Sequence, residues 1–139
     1  MATWTAFNAF KADVANGLHA LGSDTLKIAL SNAAPSTTAD GVFADIAELS
    51  AGAGYSAGGA TVTVGSSAQT AGVYSLVIQD VTFTASGGNI GPFRYAVLYN
   101  DSAAADQLIA TFDYGTTYTL TDGNTFTIVA NASGVIRLA

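Results

Sequence analysis

The strongest constraint on the fold is the segment 92–101, PFRYAVLYND, which would be apolar on both faces if it formed a strand. Alternation places four side chains on one face and two on the other: Phe93, Tyr95, Val97 and Tyr99 against Ala96 and Leu98. Arg94 is the one charged residue within this pattern. Strands that are apolar on both faces are typical of the buried centre of a sheet. The segment therefore predicts a central strand covered on both sides.

A second apolar segment, residues 108–114, follows after a polar loop and predicts the neighbouring antiparallel strand. If Tyr99 lies opposite Leu108, the facing pairs are Val97 with Ala110, Tyr95 with Phe112, Phe93 with Tyr114, and Leu98 with Ile109. The same register sets Arg94 beside Asp113. Aromatic pairs and opposite charges across neighbouring strands stabilise sheets. We therefore predict an ion pair between Arg94 and Asp113.

Near the amino terminus, apolar residues recur at spacings of three and four, which predicts an amphipathic helix over residues 4–21. The residues of this apolar stripe are Trp4, Phe7, Phe10, Val14, Leu18 and Leu21. Gly22 is a plausible helix stop. A short helix of two turns is predicted over residues 40–49, with Asp40 as its N-cap.

Alternating or apolar runs predict further strands at residues 26–31, 61–64, 73–78, 80–84 and 135–138. Near residue 122, a three-residue loop would set Leu120 opposite Phe126 and Tyr118 opposite Ile128, so we expect a hairpin there. About eight strands separated by turns indicate a mainly β fold. We expect one domain over residues 1–139, with the helix in 1–22 and a two-sheet antiparallel β-sandwich of jelly-roll type in 24–139.

Charge and composition exclude several classes of function. The net charge is −6, and the chain has four basic residues in all. Binding to nucleic acids or to anionic membranes depends on many basic residues. The chain has no cysteine, so thiol chemistry and Cys-based zinc sites are excluded. The sequence contains no run of 18 apolar residues, which is about the length that a helix needs to span a bilayer. We therefore expect neither nucleic acid nor membrane as a partner.

Residues that could perform catalysis or hold a metal are isolated in the sequence. His19 is the sole histidine, and no nucleophile or carboxylate stands at a spacing that would complete a triad. Loop oxygens at Asn100, Asp101 and Asp106, and at Asp122 and Asn124, are of the kind that calcium binds, but they lack the spacing of a calcium loop and suit turns as well. We expect no enzyme, no cofactor and no metal.

Five segments carry a resemblance to a known group of proteins. They are WTAFNAFK at 4–11, DTLKIAL at 24–30, GYSAGG at 54–59, FRYAVLY at 93–99 and NASGVI at 131–136. In this order they cover nearly the whole chain. The chain resembles small virion structural proteins of tailed double-stranded DNA bacteriophages, including capsid cement or decoration proteins. None of the segments is a catalytic motif.

The resemblance implies a protein made in the host cytoplasm and bound in many copies to the outer surface of the major capsid protein shell, which it would stabilise against the pressure of packaged DNA. It also implies a homo-oligomer, of which a dimer is the first expectation. Candidate contact residues are Thr3, Trp4 and Phe7 near the amino terminus and Tyr55 in the glycine-rich connection, although Trp4 and Phe7 also suit a core. A tail or receptor-binding component, and a carbohydrate-binding β-sandwich module, remain alternatives.

Overall fold

The computed structural model describes residues 4–130 and 133–138, which form a mainly β structure with antiparallel sheets. This arrangement is consistent with a β-sandwich. The elements in chain order are β1 (Thr5–Ala6), α1 (Asn8–Ala15), β2 (Leu26–Ser31), a 3₁₀ helix (Phe43–Asp45), β3 (Ala60–Val62), β4 (Val64–Thr70), β5 (Val73–Ile78), β6 (Val81–Thr84), β7 (Ile90–Asn100), β8 (Leu108–Leu120), β9 (Thr125–Ile128) and β10 (Ile136–Leu138).

The largest sheet has five strands in the order β1-β8-β7-β2-β3. A second sheet has the order β10-β5-β4, and β6 pairs with β9 in a third. Strand β7 lies between β8 and β2, and residues 96–100 are all buried. The prediction of a central strand in this segment is confirmed. Its two apolar faces are explained by this position, since both pack against other parts of the chain.

The predicted register between β7 and β8 is right at one end and wrong beyond it. Tyr99 pairs with Leu108, but the register shifts at the next residue, so Leu98 lies opposite Ala110 and Val97 opposite Thr111. Further along, Tyr95 faces Asp113, and Phe93 faces Tyr118 in place of Tyr114. A strand with one polar face would be held to a single register, because a slip of one residue would bury its polar side chains. With apolar residues on both faces, the pattern of β7 does not exclude the slip.

The helix near the amino terminus is shorter than predicted. Helix α1 spans Asn8–Ala15, and the residues before it pair as β1 with Ala110 and Thr111 of β8. The chain leaves the helix at Gly17, whose φ of +77° ends it well before Gly22. The prediction of a helix over residues 4–21 is therefore wrong at both ends. Pairing with β8 satisfies backbone groups that the first helical turn would have left free.

The predicted two-turn helix over residues 40–49 is also wrong, because this segment contains a single 3₁₀ turn, Phe43–Asp45. The Asp45 carboxylate accepts hydrogen bonds from the backbone N–H groups of Gly41 and Val42, at 2.9 and 3.2 Å. These two hydrogen bonds lower the pKa of Asp45. Asp40, the predicted cap, accepts a hydrogen bond from Ser36 N–H at 2.8 Å and closes the preceding turn.

The predicted final hairpin does not form. Strand β9 pairs with β6, so that Phe126 lies opposite Phe83 and Ile128 opposite Val81, while β8 ends against β7 with Leu120 opposite Ile90. Residues 122–124 do form a turn, but hydrogen bonds between that turn and Ala85 direct the chain toward β6. By contrast, the last predicted strand is present as β10, which pairs with β5.

Candidate functional site

Four residues were predicted to contact a partner, and the structure describes three of them. Thr3 lies outside the described residues, and Trp4 is partly buried. Phe7 is 0% exposed and Tyr55 is 3% exposed, so both belong to the hydrophobic core. This corrects the expectation for Phe7 and Tyr55, because side chains buried to this extent offer nothing to a partner. Among the three described members of the predicted set, Trp4 is the one that reaches a surface.

Tyr55 is buried because its hydroxyl group has two partners inside the protein. The hydroxyl donates to Glu48 Oε2 at 2.7 Å and accepts a hydrogen bond from the backbone N–H of Leu30 at 3.0 Å. Glu48 also accepts from Gly58 N–H at 2.6 Å, and Tyr99 donates to the Gly58 carbonyl at 2.5 Å. Burial raises the pKa of Tyr55 above its ordinary value. The glycine-rich connection, residues 51–59, is thereby fixed against β2 and β7.

Close packing of backbone against backbone fixes the end of this connection as well. Gly59 has a φ of +82°, and a Cβ atom placed there would lie 1.9 Å from the carbonyl oxygen of Ile28 and 2.8 Å from the Cα of Ala29. A side chain has no room between the connection and β2. The end of the glycine-rich connection is therefore a packed part of the structure.

Arg94 and Asp113, the predicted ion pair, lie together on β7 and β8. The guanidinium donates from Nε to Asp113 Oδ1 at 2.7 Å and from an Nη to Oδ2 at 3.0 Å, which is the two-bond geometry that arginine favours with carboxylates. Arg94 lowers the pKa of Asp113, and the backbone N–H of Gly115 adds to this effect. Both side chains are well exposed, so we assign the pair to fixing local geometry and not to a large share of stability.

A row of aromatic side chains forms the most distinctive surface of the protein. We call it the aromatic strip and define it as Trp4, Phe112, Tyr114, Tyr118 and Phe126. The ring centroids of Trp4 and Phe112 are 5.9 Å apart, and those of Phe112 and Tyr114 are 4.6 Å apart. Tyr114, Tyr118 and Phe126 then contact one another, with centroid distances of 5.2 to 6.1 Å. The rings form one continuous chain of contacts.

The aromatic strip is placed by two strands, β8 and β9, and by Trp4, which lies directly before β1. Phe112, Tyr114 and Tyr118 come from β8, and Phe126 comes from β9. Phe93 lies beneath the last two and is 0% exposed, with its ring 5.0 Å from that of Phe126. The glycine at 115, with a φ of +79°, lets β8 change direction between Tyr114 and Tyr118.

The members of the aromatic strip are half-buried, except Tyr118, which is 41% exposed. Burial raises the pKa of Tyr114 to about 12, with a smaller contribution from Tyr118. None of the five side chains carries a charge at neutral pH, and Asp113 occupies the alternate position on β8 between Phe112 and Tyr114. The surface combines large rings with little electrostatic cost of desolvation, which is typical of the centre of a protein interface.

The sequence contains a pattern that indicates this surface, but the predicted register of β7 and β8 led to a different interpretation of it. Phe112, Tyr114 and Tyr118 stand at even spacings in a segment whose other positions are Thr, Gly and Asp, which indicates one aromatic face. The predicted pairing assigned these rings to partners within a sheet. No pattern in the sequence joins Trp4 or Phe126 to them, since that contact depends on how β1 and β9 are placed.

His19 lies in the loop after α1 and not on the helix. Its Nδ1 accepts a hydrogen bond from the Asn100 side-chain amide at 3.0 Å, and the same amide donates to Asp24 Oδ2 at 2.6 Å. Burial lowers the pKa of His19, while Asp13 and Asp24 oppose this effect. The contacts tie the loop to the end of β7. They account for the position of the His19 ring.

Within residues 4–130 and 133–138, no group of three or more His, Cys, Asp or Glu side chains is arranged to hold a metal ion. The described part of the chain also contains no helix long and apolar enough to cross a bilayer. Comparison with protein-family models, with curated protein sequences and with solved structures found no significant match.

Proposed function

We propose that this protein is a non-enzymatic virion structural protein of a tailed double-stranded DNA bacteriophage, a cement or decoration protein that binds the outside of the major capsid shell. The observation that carries the proposal is the aromatic strip. Half-exposed aromatic rings in a continuous row are what a lasting protein contact needs. The resemblance of the five sequence segments supplies the class of partner.

The low charge of the chain supports protein contact over other partners. One residue in ten is charged, and the aromatic strip itself carries no charge. A surface of this kind loses little solvation energy when a protein covers it. Many copies on one shell would add their contacts, so that each interface could be modest and the shell would still be held firmly.

The proposal includes a finer description of the architecture, a β-sandwich of jelly-roll type with an amphipathic helix. Its layers would be the five-stranded sheet on one side and the two smaller sheets on the other. In support, buried residues of all three sheets belong to one hydrophobic cluster, for example Ile28, Leu76 and Phe83. On α1, Phe10 is buried and Val14 partly buried, whereas Lys11 and Ala12 are exposed.

The location of the protein in purified particles tests the proposed class. Electron cryomicroscopy of the virion should reveal the protein as regular density over the outer faces of the capsid. Density confined to the tail would overturn the cement role and favour the tail or receptor-binding alternative.

The role of the aromatic strip is tested by adding purified protein to capsids that lack it and measuring occupancy. We expect Tyr118→Ala to weaken binding by about 2 kcal/mol, roughly 30-fold, which is the size of effect seen at interface hot spots. Leu18→Ala is the matched control, because Leu18 is 42% exposed, close to the 41% of Tyr118, and lies outside the aromatic strip. Equal binding by both variants and the unaltered protein would contradict this role.

A carbohydrate-binding module is the second candidate, because the aromatic strip could contact sugars. Stacking on sugars needs free ring faces, but these rings meet edge to face, at 68° for Phe112 and Tyr114 and 75° for Tyr114 and Phe126. The arrangement favours a protein partner. Binding of the isolated protein to a glycan array, abolished by Tyr118→Ala, would reverse this preference.

A further inference from the structure

Strand β4 is a long edge strand, and no strand among the described residues pairs with its outer side. It pairs with β5 and stands at the end of the sheet β10-β5-β4. Every residue from 65 to 70 is exposed. In an antiparallel pair, alternate residues turn their N–H and C=O groups away from the partner. The outer edge of β4 therefore presents backbone donors and acceptors that no strand of the described chain uses.

Other sheet edges in the described residues are protected, and β4 is not. Strand β1 has two residues, β3 and β10 have three each, and β6 and β9 have four each, whereas β4 has seven. The outer edge of β8 beyond β1 is longer, but it carries Asp113 and an irregular register. Short length, charge and bulges are the ordinary means of preventing pairing at edges. Strand β4 has no proline and no charge. Its pairing with β5 shifts register once, between Val64 and Ser66, and is regular from Ser66 to Thr70.

Charge distribution indicates which partner suits this edge. The chain has a net charge of −6, so two copies repel each other in most relative orientations. Residues 49–79, which include β3, β4 and β5, contain no Asp, Glu, Lys or Arg. A second copy meets no like charge on this hairpin. Small or uncharged side chains, such as Ser66 and Ala68, also allow the two backbones to approach.

We infer that β4 pairs antiparallel with β4 of a second copy of this chain, around a two-fold axis. The two three-stranded sheets then become one continuous sheet of six strands across the dimer. The contact uses the same edge on both copies, so it is closed and does not propagate into a fibre.

The size of this contact determines its strength. The regular part of this edge, residues 66–70, is about 17 Å long and provides about four backbone hydrogen bonds, and it covers less area than the roughly 800 Å² per partner of a standard interface. The dimer is therefore weak and depends on concentration. The inference does not rest on the proposed capsid role, because the contact forms between free copies in solution.

Sedimentation analysis of the purified protein over a range of concentrations tests the pairing. Ala68→Lys places like charges beside each other across the two-fold axis, and we expect it to raise the dimer dissociation constant at least about tenfold. Ala105→Lys is the matched control, because both alanines are exposed and both variants change the net charge equally. We expect the control to dimerise like the unaltered protein. Protein that is monomeric at about 1 mM, or equal loss in both variants, would overturn the inference.

A second experiment identifies the edge directly, because the chain has no cysteine of its own. Ser66→Cys, Ser67→Cys, Ala68→Cys, Gln69→Cys and Thr70→Cys each introduce one exposed thiol on β4, and Ala105→Cys is the control. Under mild oxidation, the position nearest the two-fold axis should form a disulfide-linked dimer much faster than the control, since only facing residues bring two Cβ atoms close enough. Cross-linking of all five β4 positions at the rate of the control would overturn the inference.

Discussion

The glycine-rich connection and the aromatic strip use similar residues in opposite ways. In the connection, Tyr55 has its hydroxyl group between Glu48 and the backbone of Leu30 and is 3% exposed. In the aromatic strip, Tyr118 rests its ring on Phe93 and Phe126 and is 41% exposed. A tyrosine can be buried when the interior offers hydrogen-bond partners for its hydroxyl group. Whether a tyrosine belongs to the core or to a surface is thus decided by those partners and not by its neighbours in sequence.

The largest effect that we expect comes from Gly59, which anchors the connection to β2. Gly59→Ala should reduce the free energy of unfolding by about 3 kcal/mol or more, because the new Cβ atom overlaps the Ile28 carbonyl and the φ of +82° is strained for alanine. Gly72→Ala is the control: Gly72 has a φ of +83° but open space around it, so about 1 kcal/mol is expected. Urea denaturation measures both. Equal losses would show that the connection is not packed as described.

The next prediction compares the two tyrosines directly. Tyr55→Phe leaves the Leu30 N–H and the Glu48 carboxylate without their shared partner, and we expect a loss of about 1 to 3 kcal/mol in unfolding free energy. Tyr118→Phe should change stability little, because the Tyr118 side chain is largely in water. Chemical denaturation of the two variants side by side provides the measurement. A similar loss in both would remove the distinction between the regions.

A smaller effect is expected within the aromatic strip. Tyr118→Ala should lower the pKa of Tyr114 from about 12 toward that of a free tyrosine, because it uncovers the Tyr114 ring and removes a neighbouring ionisable group. Since the pKa of Tyr114 is raised in the folded state, its contribution to stability is present below about pH 10 and is lost as the pH rises toward 12. Ultraviolet titration of tyrosinate measures the shift. An unchanged titration would indicate that Tyr118 does not cover Tyr114.

The smallest expected effect concerns Arg94 and Asp113. Arg94→Ala should raise the pKa of Asp113, because the guanidinium is the main group that lowers it. The pKa of Asp113 is depressed in the folded state, so its contribution is present above the ordinary aspartate range and is lost as the pH falls through the folded-state value. Carboxyl NMR titration measures the change, with Lys27→Ala as a control away from the pair. An unchanged Asp113 pKa would contradict the two-bond contact.

Much of the strand content followed from the sequence, because alternation acts within a single strand. The predicted strands at 26–31 and 73–78 match β2 and β5, and the central position of β7 followed from its two apolar faces. The helix over 4–21 was wrong because strand pairing with β8 competes with the first helical turn, which no spacing of apolar residues reveals. Of the candidate site, Phe7 is in the core, the alternative that its apolar spacing left open, whereas Tyr55 was predicted to lie at a surface that it does not reach.

The sequence by itself determined the mainly β character, the central strand and the low charge. The tertiary structure decided the register of β7 against β8, the pairing of β9 with β6, and which aromatic rings reach the surface. The physical reason is distance along the chain. Alternation and turn residues act over a few positions, whereas the hydroxyl of Tyr55 bonds to Leu30 and the ring of Trp4 contacts Phe112. Contacts between residues so far apart in the sequence form only when all the strands are packed in their final positions.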